Sequence, residues 1–276
     1  VTLSSVTIKL PRGATMSLRK APSHLLDMDG VLVRGKQPIA GSIEYVRMLK
    51  EKKISFMVLT NNSRFAPDVH SDRLREIGFP VDAENVYTSA LATARFLRTQ
   101  KAGATCFAVG DNGLHVALEA AGCNLTDKNP EFVVIGESLD FNYADLAKGA
   151  HLIDQGSRFI GTNPDVNGPV EIGRHPACGA ACAMIAASTG KTPYFLGKPN
   201  PLMMRGALER LGVRASEAIM VGDRMDTDVL AGMELGLETT LVLTGSSKVE
   251  DVSEFPFRPD RVVARLSDLA YDFDFG

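Results

Sequence analysis

Ser23-His24-Leu25-Leu26-Asp27-Met28-Asp29-Gly30-Val31-Leu32-Val33 is the stretch on which the reading of this chain turns. A short apolar run leads into two carboxylates, and another run follows. Side chains alternate along a strand, so carboxylates at i and i+2 of a strand end point to one side. Two negative groups held that close repel. The pattern makes sense if a cation sits between them, or if one keeps a proton while the other does not. Both readings favour a catalytic site. The competing reading is a loop whose aspartates cap a helix.

Outward from this stretch, apolar runs alternate with helix-period segments. The pattern predicts strands at 23–27, 55–60, 105–110, 132–136, 158–162, 218–222 and 239–244. It predicts helices at 42–52, 67–78, 90–100, 113–121, 143–155, 179–189, 199–211 and 226–235. Such alternation builds α/β folds, with parallel sheets covered by helices on both faces. Several strands end in polar groups: Asp27, then Thr60 with Asn61 and Asn62, and Asp223 after Val221-Gly222. Ligands of open α/β sheets sit outside the carboxyl ends of the strands. Residues 83–191 carry strand–helix units of their own and fewer such endings, so they read as an inserted second domain. The expected organisation is a leader at 1–20, loosely ordered; a core from 21–82 and 192–276; and the insert between.

The chain has 276 residues, is 45% hydrophobic and 23% charged, and carries a net charge of -3. That is ample for a buried core and gives no electrostatic case for nucleic acid. No apolar stretch reaches membrane-helix length, and 1–20 holds no apolar block of signal-peptide length. Cys106, Cys123, Cys178 and Cys182 lack metal spacing and read as small core residues of a cytoplasmic protein.

Three motif readings fail. Asp27-x-Asp29 opens like a calcium loop, but Val31 and Leu32 stand where a ligand and a glycine are required. Gly190-Lys191-Thr192 ends like a phosphate-binding P-loop, but Ile185 replaces its first glycine and a helix precedes it. His24, His70, His115, His151 and His175 show no zinc spacing.

Four segments together carry a resemblance: Asp27-Met28-Asp29-Gly30-Val31-Leu32, Leu59-Thr60-Asn61-Asn62, Gly197-Lys198-Pro199 and Val221-Gly222-Asp223-Arg224-Met225-Asp226-Thr227-Asp228. In this order they resemble the four motifs of haloacid dehalogenase (HAD) superfamily phosphatases. Thr88-Ser89-Ala90, Thr162-Asn163-Pro164-Asp165, Pro176-Ala177-Cys178-Gly179 and Pro256-Phe257-Arg258-Pro259 are similar to segments of its NagD-like branch. The resemblance implies a Rossmann-like parallel-sheet core with a large inserted α/β (C2-type) cap at 83–191.

It also implies residue roles. Asp27 is the expected nucleophile, forming an aspartyl-phosphate, and Asp29 the expected acid–base. Mg2+ is the expected cofactor. Its implied ligands are Asp27, the carbonyl of Asp29, and Asp223, with Asp228 supporting them. Thr60, Asn61 and Asn62 are expected at the phosphoryl oxygens and Lys198 at the nucleophile. Asp226 is expected to face solvent or cap a helix. In the insert, Asn163, Asp165, Arg174 and His175 are the expected substrate contacts. The competing reading of the Thr60-Asn61-Asn62-Ser63 loop is a cap for the helix that follows, which does not exclude phosphate binding; for His175 it is a surface loop.

The implied activity is hydrolysis of small phosphate monoesters, above all nucleoside monophosphates such as UMP. Alternatives are phosphoglycolate, pyridoxal phosphate or sugar phosphates, a phosphomutase, or a binding protein without catalysis. The expected partner is a small phosphorylated metabolite, with no nucleic acid and no membrane; a homodimer is left open.

Overall fold

A computed structural model describes residues 8–9, 21–168 and 175–272 of the chain. Along it run β1 (Ile8–Lys9), β2 (Ser23–Asp27), β3 (Val33–Arg34), β4 (Gln37–Pro38), α1 (Ser42–Glu51), β5 (Phe56–Thr60), α2 (Pro67–Glu76) and β6 (Val86–Thr88). Next come α3 (Ser89–Gln100), β7 (Thr105–Val109), α4 (Asn112–Ala120), β8 (Asn124–Leu125), β9 (Phe132–Ile135), α5 (Tyr143–Asp154) and β10 (Arg158–Gly161). Then follow β11 (Asn167–Gly168), β12 (His175–Pro176), α6 (Cys178–Thr189), β13 (Tyr194–Phe195), α7 (Pro201–Leu211), β14 (Ala218–Gly222), α8 (Leu230–Leu235), β15 (Glu238–Val242) and β16 (Arg261–Val263).

These elements form two compact units. The first comprises the chain up to Leu59, Ser71–Val86 and the residues from Ala207 on. Its sheet has the order β1-β16-β15-β14-β2-β5-β6. β2 lies between β14 and β5, parallel to both, with Asp27 in register with Leu59. All five residues of β2, β5 and β14 are buried, as expected of central strands covered on both faces. Leu26, Val58, Val221, Tyr45, Leu49 and Phe79 belong to the main core of this unit. Of the expected leader, only β1 is described; it pairs antiparallel with β16.

His24 lies within β2, fully buried. Its ring bonds the Pro22 carbonyl at 2.9 Å and the Tyr45 hydroxyl at 2.8 Å. Burial disfavours the charged ring and pulls its pKa down to about 4, although the Pro22 carbonyl opposes this.

The second unit comprises Thr60–His70 and Tyr87–Gly206. Its sheet, β13-β10-β9-β7-β8, is parallel throughout. On one side Leu97, Leu114 and Leu118 pack with Val134 and Ile160. On the other, Leu146 and Ile153 of α5 and Cys178, Cys182 and Ile185 of α6 pack with Val133 and Ile135. All four cysteines are free and buried. Residues 60–70 join this unit because they are bonded to it. Ser63 Oγ accepts the Glu137 amide at 2.8 Å, the Arg64 carbonyl accepts the Gly113 amide at 2.9 Å, and Arg64 pairs with Asp111 at 2.7 Å.

Two helix starts differ from the sequence expectation. Helix α7 begins at Pro201 rather than Pro199. Asn200 Oδ1 accepts the Leu202 amide at 2.9 Å, which makes Asn200 the cap and Pro201 the first helical residue. The segment expected as one helix from Asp226 opens instead with a wide π-helical turn, Met225–Val229, before α8.

Candidate active site

In the first unit, three carboxylates from two strand ends and one turn converge. Asp27 ends β2, Asp223 directly follows β14, and Asp228 lies in the π-helical turn. All three are buried, and each offers an oxygen within 4.8 Å of the others. Three buried carboxylates this close cannot all be charged and stable without positive charge among them. The donor set is all oxygen, with no sulfur or imidazole, which suits a hard divalent cation such as Mg2+. The residues therefore fit the ion that the sequence motifs imply.

The surroundings hold Asp223 and Asp228 in place. Asp223 Oδ2 accepts the Ser246 amide at 2.6 Å and its carbonyl accepts the Ser247 amide at 3.1 Å. Asp228 Oδ2 accepts the Arg224 amide at 3.2 Å. Two glycines press on Asp223. A Cβ on Gly245 would lie 1.9 Å from Asp223 Oδ2, and one on Gly30 would lie 2.5 Å from it. Gly30 also has φ +86°, a conformation that glycine adopts without strain. Gly245, Ser246 and Ser247 were not singled out from sequence. The signal available was a Gly/Ser cluster just past the end of a predicted strand.

Asp29 lies beyond the strand. β2 stops at Asp27, and Asp29 sits half-buried in the following turn, bridged to Val33. The alternation argument for the pair therefore does not hold: the turn, not a strand pleat, orients Asp29. Asp226 is exposed and pairs with Arg224 at 2.8 Å, consistent with a solvent-facing role.

The second unit gathers the other residues singled out. Thr60 ends β5, is buried, and its Oγ1 accepts the Asn62 amide at 3.1 Å. Asn62 Oδ1 accepts the Arg64 amide at 2.9 Å. Asn61 Oδ1 accepts the Lys198 amide at 2.8 Å, and its Nδ2 donates to the Lys198 carbonyl at 3.1 Å. Nδ2 also donates to Asp165 Oδ2 at 2.8 Å. Lys198 is only 3% exposed. Asn163 is fully buried, its amide donating to the Asn61 carbonyl at 2.8 Å and to Glu137 at 3.1 Å. Asn61, Asn163, Asp165 and Lys198, up to 137 residues apart in sequence, thus share one network. Ser63 and Glu137 belong to it as well and were given no role from sequence, because an isolated serine or glutamate carries no motif; Ser89 also belongs, and sequence marked it only as part of the Thr88-Ser89-Ala90 segment.

His175 is half-buried in β12, where it pairs with Gly168, and among the described residues no hydrogen bond joins it to this network. Arg174 lies outside the described residues. No helix among the described residues is long and apolar enough to cross a membrane.

Known proteins resemble this chain over most of its length. A haloacid dehalogenase-like hydrolase family profile matches residues 24–124, and a HAD-hydrolase-like profile matches 195–269. A dihydroxyacetone phosphatase of Corynebacterium glutamicum is 46% identical over 256 residues, covering 92% of this chain and 93% of that protein. The ribonucleotide monophosphatase NagD of Escherichia coli is 38% identical over 245 residues, covering 89% and 96%. The solved structure of NagD superposes with a TM-score of 0.85 at 37% identity, covering 91% of this chain and 98% of that one. The chain therefore belongs to the haloacid dehalogenase-like hydrolases, as a phosphoric monoester hydrolase of the NagD branch.

Proposed function

We propose that this phosphatase uses Mg2+ and Asp27 to hydrolyse small phosphorylated metabolites, with triose phosphates of the dihydroxyacetone phosphate type as the preferred class. The buried carboxylate cluster of Asp27, Asp223 and Asp228 carries the chemical part of this reading. The substrate part is supported by the 46% identity to a dihydroxyacetone phosphatase, against 38% to a ribonucleotide monophosphatase. Nucleoside monophosphates such as UMP, expected from sequence, are the second reading, favoured by the NagD relative.

In the proposed reaction a carboxylate oxygen of Asp27 attacks phosphorus, and the ester oxygen leaves as it takes a proton from Asp29. Asp29, now charged, accepts a proton from water as that water attacks the phosphorus of the aspartyl-phosphate. This returns Asp27 and releases phosphate. Mg2+, held by the Asp27 and Asp223 carboxylates and the Asp29 carbonyl with Asp228 in support, would offset the charge of the phosphoryl oxygens. Lys198 is assigned the same task from the protein side, and Thr60 and Asn62 the orientation of the phosphoryl group. In this reading 21–82 and 192–276 form the catalytic core, 83–191 the cap that selects the leaving group, and 1–20 a leader. The four free cysteines fit a reducing compartment, and we assign the protein to the cytoplasm.

A panel of phosphorylated metabolites ranked by kcat/KM tests the substrate. Dihydroxyacetone phosphate and glycerol phosphates should lead it. UMP leading by about tenfold or more would replace the first reading with the second.

A further inference from the structure

The Asn61 side chain is committed within its own unit. Oδ1 takes the Lys198 amide, one N–H of Nδ2 goes to the Lys198 carbonyl, and the other goes to Asp165 Oδ2. An amide group can in principle turn over, exchanging oxygen for nitrogen. Turned over here, Nδ2 would face the Lys198 N–H and Oδ1 would face the Lys198 carbonyl, and both bonds would be lost. A carboxylate accepts hydrogen bonds and cannot donate them. Asp165 therefore selects the amide orientation that grips both backbone groups of Lys198.

Asp165 is itself well anchored. Its amide donates to Asn163 Oδ1 at 3.0 Å, and its carbonyl accepts the Gly179 amide at 2.8 Å in the first turn of α6. The Asn61 carbonyl is held in turn by Ser89 Oγ at 2.6 Å and Asn163 Nδ2 at 2.8 Å.

From this geometry we infer that Asp165 is a positioning residue for Lys198, acting through the side-chain amide of Asn61. The inference rests on the reading of Lys198 as the cation that meets the phosphoryl group. It assigns Asp165 to the placement of that cation rather than to contact with the leaving group. Losing Asp165 removes one of the three bonds that fix the amide, loosens its hold on the Lys198 backbone and misplaces the ammonium. Misplacement of a catalytic group by about 1 Å can cost about 100-fold in rate.

The test uses the full chain with p-nitrophenyl phosphate and added magnesium. Lys198→Ala comes first: undiminished turnover would remove the reading beneath the inference before any Asp165 variant is made. With that loss in hand, Asp165→Ala should lower kcat about 10- to 100-fold with KM changed far less, and Asp165→Asn, which keeps an acceptor, should recover most of the rate. In the Lys198→Ala background, Asp165→Ala should cost less than about twofold, because the group it positions is gone. Thermal unfolding is followed in parallel. If Asp165→Ala does not fold, Asn61→Asp replaces it: this variant keeps the shape, removes both N–H donors and should give the same kcat loss and the same silence without Lys198. A normal kcat in these variants, or an equal loss with and without Lys198, overturns the inference.

Discussion

Gly245→Ala is the perturbation whose effect can be worked furthest from the structure. The α-carbon of Gly245 lies against the Asp223 carboxylate. An added methyl would stand 1.9 Å from Oδ2 and 2.4 Å from Cγ, where ordinary contact begins at 3.4 Å. To accept it, the carboxylate or the Gly245 loop must give way by about 1.5 Å. Gly30 packs against the same carboxylate, where a Cβ would lie 2.5 Å from Oδ2, so the group has little room to shift. Any escape also strains the 2.6 Å bond from the Ser246 amide to Oδ2. Metal sites tolerate ligand displacements of only about 0.2 Å. The expected result is a magnesium half-saturation about 10- to 100-fold higher than that of the parent, the range found when groups supporting metal ligands are lost. The assay is phosphate release against magnesium concentration, with thermal unfolding followed without metal. A half-saturation within about twofold of the parent would refute the claim that the Gly245–Asp223 contact holds the metal ligand.

Other perturbations follow from the same structure. Gly149→Ala, inside α5, places its Cβ at an ordinary 3.4 Å from Val133; it should add about 0.5–1 kcal/mol in urea unfolding and leave magnesium dependence unchanged. His24 is neutral in the fold with a pKa near 4, against 6.5 in the unfolded chain. The unfolded chain thus binds the extra proton between those values, so this group costs no stability above pH 6.5 and about 3 kcal/mol by pH 4. Unfolding of a His24→Gln variant should lose that slope between pH 6.5 and 4; an unchanged slope would assign it elsewhere. Removing divalent ions with a chelator should stop turnover and magnesium should restore it; turnover indifferent to the chelator would contradict the metal assignment.

The sequence was legible where the physical signal is local. β5 and β14 are mostly apolar and β2 carries Leu25-Leu26 at its centre, because both faces of a central parallel strand are buried, and each was placed to within a residue. The acids ending β2 and following β14 were legible for the same reason: a charge at the end of such a run has few roles other than chemistry. The short strands β6 and β13, of three and two residues, are too brief to show a period. The start of α7 was misplaced because two prolines compete there, and the choice belongs to the Asn200 side chain. The π-helical turn at 225–229 escaped because its residues have the same helical pattern either way. Least legible was the bond from Asn61 to Asp165, which spans 104 residues. Nothing in either segment names the other; only the fold of the second unit, to which both belong, brings them together.

The nucleophile can be tested most directly by trapping it. Enzyme mixed with substrate and magnesium, quenched in acid within one turnover and digested, should yield the Asp27 peptide heavier by one phosphoryl group. Asp27→Asn should fold with the same melting temperature, release no phosphate and show no such peptide. A phosphoryl group on any other residue, or near-normal turnover by Asp27→Asn, would contradict the proposed chemistry at its first step.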